Sequence, residues 1–315
     1  MHFVRLVRPV NLIIIALTMY GLGWFYHDIN PDFGVVSLPF LMLTVSTVMI
    51  AAAGNIINDY FDIRADRVNK PDRLIIGVHI KKRVAIVTHW GINLIAFSIA
   101  IYLSYTLQSF WYVFIHLFSI NFLWFYSVYF KRRFAIGNIV IAALTALVPI
   151  LVGIYFFQTM QFLPETTNEL EQLSRSFNQD LIFVVSIALS SFAFILNLAR
   201  EMVKDIEDVE GDKLLKAKTL PITIGSRGTK WIAAFLLLST IVMAAVGWWY
   251  FDYLDVKVMI PLFASGILIL VSFILLLYAQ EIKAYKRVNL FIKLSMTAGL
   301  LAPVFWKIIE INVGN

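Results

Sequence analysis

The sequence predicts an all-α polytopic membrane protein, and three observations carry that prediction. Hydrophobic residues fill 60% of the 315 positions and charged residues only 15%, against roughly 45–50% apolar and about 25% charged in soluble domains; mean hydropathy is +0.80. Nine apolar stretches are long enough to cross a bilayer. The basic residues gather on one side of those stretches.

The spans fall at roughly 10–27, 36–58, 84–104, 108–130, 136–157, 180–204, 230–250, 258–280 and 289–310. The first follows Arg5 and Arg8, as a signal peptide would. It runs on through Gly21-Leu-Gly-Trp24-Phe-Tyr26 without a small-residue cleavage pattern, so it reads as a retained helix. Trp24, Trp111, Trp231, Trp248, Trp249 and Trp306 lie near span ends, as anchors at the membrane–water boundary. Segment 158–179 is polar and acidic, with Pro164, and reads as a surface loop. The long basic loops, 67–83 and 213–229, each follow an acidic helix end.

Orientation follows from the cations. Of the 26 Lys and Arg, 22 lie before the first span or within 64–83, 131–133, 200–230 and 283–287, and an excess of this kind marks the cytoplasmic face. Nine spans then put the N-terminus in the cytoplasm and the C-terminus outside, in a bacterial or archaeal cell membrane. The net charge of +6 is a topology signal, and nucleic acid is not expected as a partner. Cysteine is absent, which excludes disulfides and thiolate metal sites.

Two segments carry acids at the same helical spacing. One reads Asn55-Ile-Ile-Asn58-Asp59-Tyr-Phe-Asp62-Ile-Arg-Ala-Asp66, the other Glu201-Met-Val-Lys204-Asp205-Ile-Glu-Asp208-Val-Glu-Gly-Asp212. Positions 55, 59, 62 and 66, and likewise 201, 205, 208 and 212, fall within about 60° of one helix face at 3.6 residues per turn. Asn197 extends the second stripe inward by one turn. Such carboxylates repel one another unless a cation intervenes. Oxygen donors at this density suit Mg²⁺, which takes one or two carboxylates together with substrate phosphates. The expected metal ligands are Asn58, Asp59, Asp62, Asp66, Asp205, Asp208 and Asp212. Glu201 is open to two readings, as a ligand or as the partner of Arg200. Glu207 and Glu210 face the other way, toward water or toward Lys213 and Lys216. A diphosphate so held also calls for direct contacts, and Asn55, Lys70, Arg73, Lys131, Lys204 and Lys218 are the candidates. His89 and His116 have no acid or second histidine at ligand spacing and read as packing residues. No nucleotide-binding glycine loop and no serine-hydrolase arrangement is present.

The stripes end spans 2 and 6 and lie 146 residues apart. That separation suggests a single domain over 1–315 built from two four-helix halves, spans 1–4 and 5–8, with a ninth helix appended.

The pattern Asn58-Asp59-x-x-Asp62-x-x-x-Asp66 with Lys204-Asp205-x-x-Asp208-x-x-Gly211-Asp212 resembles the two aspartate-rich motifs of the UbiA superfamily of intramembrane prenyltransferases. Arg8-Pro9-x-Asn11, Asn69-Lys70-Pro71-x-Arg73, Tyr126-Ser127, Lys131-Arg132, Gly137-Asn138 and Lys218-Thr219-Leu220-Pro221 extend the resemblance, in order, to about residue 230. Within it the chain is most similar to the digeranylgeranylglyceryl phosphate synthase branch. It departs from many relatives at Leu74-Ile75-Ile76-Gly77, where they carry a proline and a Ser-Gly pair.

The resemblance implies a nine-helix bundle around a cavity that opens to the cytoplasm. It implies Mg²⁺-dependent transfer of a prenyl group from an isoprenyl diphosphate to a lipid acceptor, geranylgeranylglyceryl phosphate. Asp59, Asp62, Asp205 and Asp208 would act in catalysis, and membrane lipid would contact the bundle. Prenylation of an aromatic quinone or chlorin precursor is the alternative within the family. A cation-coupled transporter is the alternative outside it, disfavoured because the acids cluster at one membrane face.

Overall fold

In the computed structural model, which describes residues 2–69, 71–250 and 256–313, the protein is a helical bundle. The helices are α1 (His2–Leu6), α2 (Pro9–Phe25), α3 (Leu38–Asn69), α4 (Lys82–Thr106), α5 (Trp111–Val128), α6 (Ile136–Thr159), α7 (Glu169–Leu214), α8 (Leu220–Thr223), α9 (Gly225–Tyr250), α10 (Val256–Tyr278), α11 (Ile282–Gly299) and α12 (Ala302–Val313). Eight segments among the described residues are long and apolar enough to cross a membrane, and α2 is a shorter apolar helix beside them. The last crossing is made by α11 and α12 in succession.

Helix boundaries differ from the sequence reading where polar residues continue a helix. The segment expected as a loop at 158–179 is helical from Glu169 onward. Asn168 caps α7, its side-chain oxygen accepting from the Leu170 N–H at 3.0 Å, and Glu169 and Glu171 occupy the first turn, favourable to the helix dipole. α3 runs for 32 residues and α7 for 46, so at 1.5 Å per residue both exceed a hydrocarbon core of about 30 Å. Both acid stripes therefore ride on unbroken helices that project past the apolar layer.

The apolar residues divide into two large clusters. One joins α6, α7, α9, α10 and α11 around Leu196, Val203, Leu237 and Leu276. The other joins α2 to α7 around Leu22, Phe40, Tyr112 and Phe156. A smaller cluster takes in Leu74, Ile75 and Ile76, which pack on Leu6, Ile56, Ile63 and Ala85. The departure from the family pattern at 74–77 thus folds as an apolar plug against the start of the chain, α3 and α4.

Candidate active site

The two stripes meet. α3 packs against α7, and a single side chain ties their ends together. Asn69 donates through Nδ2 to the Asp208 carbonyl at 2.9 Å and accepts at Oδ1 from the Gly211 N–H at 2.9 Å. Glycine is needed at 211, because a Cβ there would stand 2.9 Å from the Ala65 carbonyl oxygen.

Cations from other elements balance the acids. Arg8, just before α2, pairs with Asp59, and Lys131, in the turn after α5, pairs with Asp62. Gly137 allows that turn to fold back on α6, since a Cβ would lie 2.9 Å from the Lys131 Cα. Burial by itself would push the Lys131 ammonium down. The Asp62 carboxylate, helped by Asp208 on the facing helix, more than offsets burial and holds Lys131 above the ordinary lysine range. Asp212 lies within electrostatic reach of Lys131, Asp208 and Asp62, so acids of both helices surround one lysine. Asp205 accepts from Asn138 at 2.8 Å, and Asp66 is half-buried one turn beyond Asp62. Glu201 is buried and accepts from Arg200 at 2.8 Å and Lys204 at 2.9 Å. Of its two readings, the structure has the ion pair.

Next to this rim lies a cavity of about 330 Å³ between α2, α3, α5, α6, α7 and α11. Arg8, Asn55, Asn58, Tyr126, Glu201 and Lys204 line its polar end. Ile50, Ile115, Leu144, Leu147, Val148 and Leu151 line its apolar depth. Asn58 is 8% exposed and its Oδ1 has no hydrogen-bond partner.

The remaining expected residues divide. Asn55 lines the cavity and donates to the Val7 carbonyl at 2.9 Å. Lys218 is exposed, while its backbone N–H donates to the Arg132 carbonyl at 2.9 Å and ties the loop after α7 to the Lys131 turn. Lys70 lies outside the described residues, and of Arg73 only the backbone is described, in the turn Pro71–Arg73. Glu210 meets Lys213 at 3.4 Å, as expected, whereas Glu207 packs against α11 and accepts from Asn289 in place of the water or lysine partner expected for it. His89 and His116 are packing residues: the first contacts the Ala53 carbonyl at 2.9 Å, the second the Ser46 hydroxyl at 2.8 Å and the Tyr112 carbonyl at 2.8 Å.

The sequence profile of the UbiA prenyltransferase family matches residues 12–295. The chain belongs to this family. It is 30% identical over 313 residues to the digeranylgeranylglyceryl phosphate synthase of Thermococcus gammatolerans, covering 95% of this chain and 96% of the relative. It is 29% identical over 302 residues to the synthase of the same name from Methanothermobacter thermautotrophicus, covering 95% and 94%. Its fold is that of a UbiA homolog from Archaeoglobus fulgidus bound to GPP and Mg²⁺, with a TM-score of 0.57 at 18% identity over 96% of this chain and 100% of that one. A structure reported for digeranylgeranylglyceryl phosphate synthase gives a TM-score of 0.64 at 24% identity, covering 96% of each chain.

Read as a UbiA-family prenyltransferase, the chain uses residues that sequence reasoning left without a role. Arg8 and Asn138 belong to quoted motifs, yet nothing in their spacing shows that they meet Asp59 and Asp205. Asn69 as the link between motifs is likewise a tertiary fact. Lys293 was overlooked, although a lysine inside an apolar span was signal enough; it lines the cavity and donates to Asn11 Oδ1 at 2.6 Å.

Proposed function

We propose that this integral membrane enzyme moves a prenyl group from an isoprenyl diphosphate to a hydroxyl of geranylgeranylglyceryl phosphate, releasing diphosphate. The observation that carries the reading is the cavity itself, apolar in depth, with a polar end lined by Arg8, Asn55, Asn58, Glu201 and Lys204 next to the two aspartate stripes. An allylic diphosphate has the same division, an apolar tail and a polyanionic head. The names of the curated relatives support the glyceryl phosphate acceptor. The orientation of the cations supports a site on the cytoplasmic face.

The donor set fits a divalent cation. Among the described residues no three acids or histidines converge tightly enough to hold a metal alone, but Mg²⁺ is commonly bound by one or two carboxylates and completed by substrate phosphates. Asp59, Asp62 and Asp66 on α3, and Asp205, Asp208 and Asp212 on α7, supply hard oxygens. The unpartnered Asn58 Oδ1 adds a neutral one. Bound there, Mg²⁺ supplies neutralisation of the charge that develops on the diphosphate leaving group.

The protein's own groups do the rest. Arg8 and Lys131, fixed at the rim by Asp59 and Asp62, are positioned to attract the same anion. The apolar walls exclude water from the allylic cation, whose capture by water would waste the donor. Tyr126 lines the cavity and offers a ring face to that cation. Phe61 packs edge-on to Tyr60 and Trp124, and neither it nor Phe192 is in the cavity wall. Rim carboxylates are the bases at hand for the acceptor hydroxyl proton.

The test supplies purified protein with geranylgeranyl diphosphate and Mg²⁺, and compares geranylgeranylglyceryl phosphate with 4-hydroxybenzoate and a dihydroxynaphthoate by mass spectrometry. The expected product is the doubly prenylated glyceryl phosphate. Product from an aromatic acceptor alone would overturn the acceptor and keep the prenyl transfer.

A further inference from the structure

The charges on the cavity wall do not balance. Four lining residues are cationic, Arg8, Arg200, Lys204 and Lys293, and one is anionic, Glu201. Arg8 is matched by Asp59 at the rim, and Glu201 is shared between Arg200 and Lys204. Among the described residues Lys293 has no carboxylate partner. Among the described residues its ammonium meets only the neutral amide oxygen of Asn11. A lysine inside a membrane span is costly to insert and by default marks function.

The surplus has a definite place. Arg200 lies five residues before Asp205, about 7.5 Å further into the bundle at 1.5 Å per residue. α11 packs on α7, and Asn289 bonds to Glu207, so Lys293, one turn further along α11, comes level with residues 200–204. Arg200 acts electrostatically on Lys293, and both line the same cavity. Two like charges are thus held near each other, just inside the aspartate rim, with the Asn197 and Asn11 amides beside them.

We propose that Arg200 and Lys293 form a site for the phosphomonoester of the acceptor, separate from the aspartate-rimmed site for the donor diphosphate. This rests on the prenyl-transfer reading above and gives it a structural basis for choosing a phosphorylated acceptor. On a three-carbon glycerol, a free hydroxyl is never more than two carbons from the carbon bearing the phosphate. If that hydroxyl attacks the donor carbon just inside the rim, its phosphate must lie close by, within the cavity. The uncompensated charge of Lys293 is there, with Arg200 beside it. An uncharged or aromatic acceptor would leave Lys293 without an anionic partner, an outcome that favours the phosphate ester by exclusion.

The test uses Lys293→Met, which keeps length and suits an apolar span, and Lys293→Arg, which restores the charge. Two measurements are made. Steady-state kinetics give separate KM values for geranylgeranyl diphosphate and geranylgeranylglyceryl phosphate. Equilibrium binding in EDTA compares geranylgeranylglyceryl phosphate with geranylgeranylglycerol, which lacks the phosphate. Loss of one charge-assisted hydrogen bond should raise the acceptor KM about tenfold or more in Lys293→Met, leave the donor KM within about twofold, and be reversed in Lys293→Arg. Wild type should bind the phosphorylated lipid more tightly than the alcohol, and Lys293→Met should abolish that difference. A rise in donor KM alone, or an unchanged preference for the phosphorylated lipid, would overturn the site. Should wild type make no product from geranylgeranylglyceryl phosphate yet bind it through Lys293, the acceptor reading would fail and the anion site would stand.

Discussion

Asn69 offers the sharpest test of whether the two aspartate stripes work as one unit. Its side chain makes both hydrogen bonds that bridge the C-terminal end of α3 to the Asp208–Gly211 turn of α7, each 2.9 Å long. Asn69→Ala removes both. At about 0.5–1.5 kcal/mol net per bond, the stability lost is about 1–3 kcal/mol, which the extensive apolar packing of α7 against α6 and α9 should tolerate. Turnover should suffer more. A misplacement of about 1 Å at reacting groups costs on the order of 100-fold, so kcat should fall roughly 10- to 100-fold. Gly211→Ala reaches the same joint from the other side, since its Cβ would meet the Ala65 carbonyl at 2.9 Å and push the helices apart. The assay is release of diphosphate and formation of prenylated product by detergent-purified protein, with thermal unfolding followed in parallel. Wild-type kcat in a destabilised Asn69→Ala protein would show that the link is only structural and that the stripes need not be held in register.

Three further outcomes follow from the same geometry. Asp59→Ala, Asp62→Ala, Asp205→Ala and Asp208→Ala should each lose at least about 100-fold in kcat while still inserting and folding, because their role is to stabilise the transition state; steady-state kinetics beside circular dichroism check this. Glu210→Ala, on an exposed side chain that meets Lys213, should retain near-wild-type kcat, and damage equal to that of Asp205→Ala would refute the helical-face assignment. EDTA should abolish turnover and excess Mg²⁺ restore it, whereas full activity in metal-free buffer would refute the metal-assisted departure of diphosphate.

Much of the fold was legible because membrane helices announce themselves by length and hydropathy. The acid stripes were legible because a helix converts a spacing of three and four residues into one face. The meeting of the stripes was an expectation from their matched spacing, and its instruments were hidden. Arg8 reaches Asp59 across 51 residues and Lys131 reaches Asp62 across 69, separations that no local period encodes. Lys131 and Lys204 look alike in sequence as basic residues near a helix end. The packing of the turn onto Gly137 sends one between the stripes, and the other turns along its own helix to Glu201. The polar start of α7 reads as loop in the sequence because hydropathy marks where a helix enters the membrane and is silent on where it begins. Asn168 and the two glutamates after it were the available sign.

The central claim is that one site, built jointly by α3 and α7, holds a metal-complexed diphosphate. Isothermal titration of a non-reactive thiodiphosphate analogue of geranylgeranyl diphosphate tests it most directly, with and without Mg²⁺, on wild type, Asp62→Asn and Asp208→Asn. Binding should require Mg²⁺ and should weaken at least about tenfold in each variant, one from each helix. Tight binding in EDTA, or a loss confined to the variant of a single helix, would contradict the claim.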